Sequence, residues 1–479
     1  MSPDDASPLA AHIAAALPAA RWFAGKEAAI EGVTVHDRID PQPVGRAGPQ
    51  PAVVLADVRM AGRAAEHRYC LVVDPSGDDV AGDPTAIRWL VETILAAARL
   101  PGMTGAVVGH RVAGPPAAWP VAVWPAAATI TPVGVDASNS SFIVQAAGTG
   151  LIVKLFRRCR PGIQPEVEIG EFLAAAPAWS GSPRLLGWLE HVAADGGSAA
   201  LATVHEFAPD CTTAWDRLVR LLVAAGPNAA LPAGVAAFAA RIGTTTGRMH
   251  AALAARPDVP AFAPETPTVA GRRAMAERMA GHAAEVFTLA ESRLPHVAPP
   301  VADRLRRLLE SRTDLLGRFA PLNTLAMDAP HIRVHGDYHL GQVLLGAHDD
   351  RVLVVDFEGE PGRPVEERRA KAAAAKDVAG MCRSFDYLLR HVASITGGRH
   401  PVDDLRRLEA AFLDAYRAAA AGGAWWPADS AAAAELLDIH RLDKAIYELA
   451  YEITNRPDWV GVPLAALEEL AATPGPSRA

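Results

Sequence analysis

Only four cysteines occur in 479 residues, Cys70, Cys159, Cys211 and Cys382. They are far apart and form no Cys-x-x-Cys pair. That spacing excludes a thiolate zinc site and a disulfide framework, and predicts reduced thiols in a cytoplasmic protein. No stretch approaches the ~18 uninterrupted apolar residues of a membrane helix, so no membrane span is expected. Basic excess is missing too: 46 Lys and Arg stand against 54 Asp and Glu, a net charge of −8. Nucleic-acid partners need a basic face and are not expected. The opening Met1-Ser2-Pro3-Asp4-Asp5 is acidic and lacks the charged start of a signal peptide. No internal repeat is visible.

The length allows two or three domains, or one domain of two lobes. Half the residues are apolar and 21% are charged, which is ordinary for a globular chain. Much of the apolar share is alanine, as in Ala372 to Ala375 and Ala431 to Ala434, which favours helix and buries little area per residue.

The early chain reads as a short helical run over His12 to Leu17. Arg21-Trp22-Phe23-Ala24-Gly25-Lys26 follows, either a helix end with a buried aromatic pair or a lid whose Lys26 reaches a phosphate. Ile30 to Val35, Ala52 to Val58 and His67 to Val73 read as strands, with a proline-rich connection from Pro41 to Pro51. Pro84 to Ala98 reads as a helix. Gly105 to Gly109 and Trp119 to Trp124 add candidate strands. These make a small antiparallel sheet that precedes and leans on the next lobe.

Val133 to Val144 suggests strand, tight loop, strand. The loop is not glycine-rich, yet Ser138, Asn139 and Ser140 carry donors suited to phosphate oxygens; a plain polar hairpin turn is the alternative. Leu151 to Phe156 is an apolar strand with Lys154 inside it. A buried ammonium needs a partner, and Glu168 on the following helix is the expected one. Strand lysine and helix glutamate together hold nucleotide phosphates in phosphotransferases of the protein-kinase type. Arg157-Arg158-Cys159-Arg160 reads as a solvated turn. Ala200 to Phe207 is a strand running into a hinge, where the backbone of Glu206, Phe207 and Ala208 is expected to bind an adenine edge. Beyond Thr213 the pattern is mostly helical. His250 reads as a structural histidine.

The most informative stretch is His335-Gly336-Asp337-Tyr338-His339-Leu340-Gly341-Gln342, followed by the strand Val352 to Val355 and then Asp356-Phe357-Glu358. A carboxylate, an amide and a second carboxylate fall in the order that in-line phosphoryl transfer uses. Asp337 aligns an attacking hydroxyl. Gln342 and Asp356 offer oxygen to Mg²⁺, with Glu358 in support. His335 is read as support for the loop.

These residues carry a resemblance. The His-Gly-Asp loop is similar to that of the aminoglycoside-phosphotransferase branch of the kinase superfamily, with Gln342 where asparagine is usual. More narrowly, several stretches resemble the maltokinases. They are the His335 loop, Asp356-Phe-Glu-Gly-Glu-Pro, Asp377-Val-Ala-Gly-Met with Arg383-Ser-Phe-Asp-Tyr, and Leu442-Asp-Lys-Ala-Ile-Tyr-Glu through Asn455-Arg-Pro-Asp-Trp. Arg21-Trp-Phe-Ala-Gly-Lys and Lys154-Leu-Phe-Arg-Arg match as well.

The resemblance implies an α+β bilobal protein-kinase-like fold. An N-terminal cap subdomain would span 1–95, an intermediate and nucleotide-binding lobe 96–207, and a helical C-lobe 208–479. It implies ATP and Mg²⁺ as cofactors and maltose phosphorylated at its anomeric hydroxyl, in α-glucan synthesis, with an enzyme of trehalose or maltose metabolism as a possible partner. A monomer is favoured. His339, Glu358, Asp386, Tyr387, Lys444, Tyr447 and Tyr451 are the expected acceptor-binding residues. Lys444, Tyr447 and Tyr451 recur at helical spacing as a polar–aromatic stripe. Trp425-Trp426 departs from the family pattern and either stacks on a sugar or fills a gap between helices. Alternatives are a kinase for glucosamine or another small sugar, and a nucleotide-binding pseudokinase acting as a regulatory module.

Overall fold

The computed structural model describes residues 7–23, 25, 28–41, 50–62, 66–112, 128–133, 139–146, 149–325, 329–398 and 402–472. Lys26, Ser138 and the Trp119 to Trp124 segment lie outside the described residues. The chain divides into two units, residues 1–210 with 360–368, and residues 211–359 with 369–479.

The first unit opens with α1 (Pro8–Ala16) and an antiparallel sheet of β1 (Ile30–Ile39), β2 (Ala52–Met60) and β3 (His67–Val73) in that order. β2 is the middle strand and is covered on both faces. Ala52, Val54, Ala56 and Val58 meet Ile13, Leu17, Trp22 and Phe23. Val53 and Leu55 turn the other way, toward Ile87, Leu90 and Val107. Double burial is why the run reads as continuous apolar sequence instead of alternating. The aromatic pair Trp22–Phe23 is core. Helix α2 (Pro84–Leu95), started by Asp83 capping the Thr85 N–H, packs into the second of these layers.

That layer is shared with a seven-stranded antiparallel sheet. Its strands are β4 (Arg99–Pro101), β5 (Gly105–Arg111), β6 (Thr129–Pro132), β7 (Asn139–Ala146), β8 (Thr149–Phe156), β9 (Leu185–Ala193) and β10 (Ser198–Glu206), in the order β4-β5-β9-β10-β8-β7-β6. A buried carboxylate pins the two sheets together. Asp37 on β1 takes His191 of β9 at 2.8 Å and the Met103 N–H at 2.6 Å. Helix α3 (Pro165–Ala174) follows β8.

The expected solvated arginine turn is not what forms. Arg157 is 3% exposed. It donates to Ser140 Oγ at 2.8 Å and Asp79 Oδ1 at 3.0 Å, and lies 4.5 Å from the Trp22 ring. Fixed acceptors on three sides replace water, which is what lets the guanidinium be buried. Arg160 donates to the carbonyls of Arg363 at 2.9 Å and Pro361 at 2.7 Å. It thereby binds the 360–368 strap that belongs to this unit.

The second unit holds a three-stranded antiparallel sheet of β11 (Cys211–Thr213), β12 (Val343–Gly346) and β13 (Val352–Val354). Its helices are α4 (Ala214–Ala225), α5 (Ala233–Leu253), α6 (Val269–Arg293), α7 (Pro299–Glu310) and α8 (Arg312–Gly317). After the short α9 (Val365–Arg369) come α10 (Ala375–Thr396), α11 (Val402–Ala419), α12 (Ser430–Asn455) and α13 (Gly461–Ala472). Leu436, Leu442, Ile446 and Leu449 of α12 enter a core with Phe287, Leu305 and Leu467. Trp426 packs against this core and its ring meets Tyr416 edge-on at 5.0 Å. Of the two roles open to that tryptophan, it takes the gap-filling one.

Candidate active site

In the first unit, Lys154 points from β8 and is 7% exposed. Its Nζ donates to Glu166 Oε2 at 2.8 Å. The expected partner was Glu168, so this assignment is corrected. α3 begins at Pro165, which puts both glutamates in its first turn. Two helical residues are rotated by about 200° from each other. Glu166 is buried on the sheet side, while Glu168 is only half-buried.

Asn139 and Ser140 begin β7, where Asn139 is buried and Ser140 accepts from Arg157. At the end of β10 the Glu206 N–H is taken by the Arg184 carbonyl and the Phe207 N–H by the Gly150 carbonyl, each at 3.0 Å. Of the backbone groups expected at the adenine edge, these two N–H groups are therefore occupied within the sheet. Strand pairing that extends past the expected hinge uses them up.

In the second unit, the Asp337 loop is held from behind by one face of α10. Asp377, 1% exposed, accepts from the His335 N–H at 2.7 Å and the Gly336 N–H at 2.9 Å. Its Oδ2 also meets His250 Nε2 at 3.1 Å, and His250 Nδ1 meets Tyr416 Oη at 3.0 Å. Burial pushes the Asp377 carboxyl up, but the bond from His250 and the backbone donors outweigh it and hold it below the usual range. One turn on, a Cβ at Gly380 would stand 2.6 Å from the Tyr338 carbonyl, so this position has room only for glycine. Another turn on, Ser384 Oγ accepts the Leu340 N–H at 3.0 Å. Gly336 itself has φ +87°, a left-handed turn that glycine makes without strain. Inside the loop, His335 Nε2 bonds the Val355 carbonyl at 2.9 Å and Tyr338 Oη bonds Thr246 at 2.9 Å. His335 supports the loop as expected.

His339 accepts the Gly341 N–H at Nδ1, at 3.0 Å. Burial holds this ring below its ordinary pKa. A neutral ring accepting at Nδ1 carries its hydrogen on Nε2.

Gln342 Nε2 donates to Asp356 Oδ2 at 2.9 Å. Carboxylate oxygens of Asp356 and Glu358 lie within 4.8 Å of one another. Asp356 has φ +67°, a left-handed conformation that few residues other than glycine, asparagine and aspartate adopt. An all-oxygen set of two carboxylates and an amide suits a hard cation such as Mg²⁺ and not a soft metal. The residues fit that ion.

Lys444 of α12 donates from Nζ to Asp337 Oδ1 at 3.0 Å, and the same Nζ lies 4.6 Å from the Tyr447 ring centre. Asp337, Lys444 and Tyr447 are thus brought together. Tyr387 and Tyr451 belong to a second cluster. Tyr387 Oη donates to Glu452 at 3.4 Å and its ring stacks on Trp459. Tyr451 is 42% exposed, with Arg456 5.2 Å from its ring. Asp386 is 3% exposed and accepts from Arg383 at 2.6 Å and Arg390 at 2.8 Å. A carboxylate so enclosed is part of a core ion network with Glu448, which takes Arg383 at 2.7 Å. The residue missed as a functional position was Asp377. Its sequence signals are an acid at the buried start of an apolar helix and its place in the family-like stretch Asp377-Val-Ala-Gly-Met.

Residues 129–360 match the model of the phosphotransferase enzyme family. A glucosamine kinase of Streptacidiphilus jiangxiensis is 34% identical over 347 residues, 70% of this chain and 72% of the relative. The chain belongs to the phosphotransferase enzyme family. A glucosamine kinase of Mycolicibacterium smegmatis is 31% identical over 352 residues, 71% of this chain and 79% of the relative. Among solved structures, a glucosamine kinase in complex with glucosamine, ADP and inorganic phosphate superposes with a TM-score of 0.65 at 27% identity. It covers 98% of this chain and 100% of its own. The fold is the α+β protein-kinase-like one of this phosphotransferase family.

Proposed function

We propose that the chain is an ATP- and Mg²⁺-dependent kinase of a small sugar, with glucosamine the first acceptor to test. The observation that carries the reaction is the Asp337 carboxylate, fixed on a loop whose backbone is clamped by Asp377, in the same unit as the Gln342–Asp356–Glu358 oxygen set. Asp337 orients the acceptor hydroxyl and receives its proton. Gln342, Asp356 and Glu358 would hold Mg²⁺, which neutralises charge on the β- and γ-phosphates when bound. Lys154, fixed by Glu166, supplies the cation for the α- and β-phosphates. Asn139 and Ser140 stand at the phosphate turn, and the Ala208 backbone and Glu206 carbonyl take the adenine edge. His339, Tyr447 and Lys444 are the residues proposed to meet the acceptor.

The maltokinase resemblance pointed to maltose. Relatives at 34% and 31% identity that are glucosamine kinases support glucosamine ahead of it. The test is ADP release with glucosamine, maltose, glucose and other hexoses. Turnover that is highest with glucosamine is expected; a clear preference for maltose sinks the acceptor assignment. Asp337→Asn should lower kcat by about 10²–10⁴-fold with ATP affinity unchanged, read by calorimetry.

A further inference from the structure

We infer that Lys444 is a catalytic residue, one half of a charge pair with Asp337 that receives the acceptor hydroxyl. The inference rests on the phosphotransfer reading and deepens it. Lys444 comes from α12, 107 positions beyond Asp337, and its Nζ stands 3.0 Å from Asp337 Oδ1. The side chain is 15% exposed and that of Asp337 is 20% exposed, so the pair is partly withdrawn from water and still reachable. On another side of the ammonium is the Tyr447 ring, its centre 4.6 Å away. Carboxylate and ring together locate a flexible side chain that a surface lysine would leave free to sample rotamers.

Charge explains why the loop needs it. The side chains assigned to phosphoryl transfer in this stretch are Asp337, Asp356, Glu358 and the Gln342 amide, and burial lowers the basicity of the neighbouring His339. An acceptor oxygen approaching that set develops negative charge amid acids. An ammonium touching the aligning carboxylate is placed to donate to the acceptor oxygen and to an oxygen of the phosphoryl group in transit, where the charge develops. In the step, the acceptor oxygen bonds to Pγ while the bond from Pγ to the β–γ bridging oxygen breaks, and that electron pair leaves with ADP. The hydroxyl proton passes to Asp337 and on to solvent. Lys444 keeps its three protons throughout.

The test compares Lys444→Met and Lys444→Arg with the full-length wild type, by steady-state kinetics on the best sugar of the panel and by thermal melting. The methionine variant is expected to lose at least 100-fold in kcat, with KM for ATP within twofold and an unchanged melting temperature. Lys444→Arg is expected to recover at least tenfold of that loss, which a purely structural role would not give. A fall in kcat of less than tenfold overturns the inference, whatever happens to the sugar KM. So does an arginine variant as impaired as the methionine one. If the wild type phosphorylates no sugar, the acceptor assignment fails on its own. The same criteria then apply to the slow release of ADP with water as acceptor; absence of that release overturns both readings.

Discussion

Glu166 shows how much rests on one residue position. It and Lys154 have side chains only 6% and 9% exposed. Removing one member of such a pair leaves an uncompensated buried charge, at a cost of about 3–5 kcal/mol. Glu166→Gln, which keeps the shape and drops the charge, should therefore raise KM for ATP and lower the melting temperature, while Glu168→Gln should do neither to a comparable degree. Equal effects of the two changes, measured side by side, would return the role to Glu168. Asp386 makes the same point for the acceptor set. It lies between Arg383 and Arg390, so Asp386→Asn should cost stability by denaturant titration and leave the sugar KM close to wild type. A large rise in that KM in a stably folded variant would put Asp386 back among the acceptor residues.

At the scale of elements, α10 is the support of the active loop, through Asp377, Gly380 and Ser384 at successive turns. Gly380→Ala should push the helix off the Tyr338 carbonyl and lower kcat without touching any polar side chain of the site. Asp377 also gives the loop a pH dependence. Its folded-state pKa lies below the ordinary 3.8, so it stabilises the fold fully above that value. The contribution fades as pH falls from 3.8 through the lower folded value. Acid unfolding of Asp377→Asn should accordingly show a shallower slope below about pH 4 than that of the wild type, by circular dichroism. An identical slope would mean that other carboxylates govern the acid limb.

Elements were also where the sequence could be read most directly. Strands β1 to β3, the lysine strand β8 and the Asp337 loop announce themselves through apolar runs and through side chains whose chemistry has few other uses. What stayed hidden was rotational phase and satisfaction. Glu166 and Glu168 are equivalent in a string of letters, and only the helix start decides which one faces the sheet. The guanidinium of Arg157 reads as solvated until Asp79 and Ser140, distant in sequence, supply acceptors. Asp377 differs from a helix-capping acid only in that the N–H groups it accepts lie some 40 residues upstream. The hinge was located by order along the chain, but order does not reveal that strand pairing consumes two of its N–H groups.

For the whole molecule, the first unit is not continuous in sequence. It is completed by the 360–368 strap, which carries the carbonyls that Arg160 binds and the buried Glu360. A fragment of residues 1–210 should melt lower, and bind hydrophobic dye more, than one with 360–368 appended through a flexible linker. Equal melting of the two would show that the strap adds nothing to this unit. The strap also bears on biosynthesis. A ribosome adding 5–20 residues per second needs roughly 8–30 s to travel from the end of the first segment to the end of the strap. During that interval the two sheets can pair and the Asp37 pin can close, while Arg160 still waits for its carbonyls. The N-terminal unit is begun first and finished late, so its last structural step falls after the Asp337 loop and Asp356 have already been synthesised.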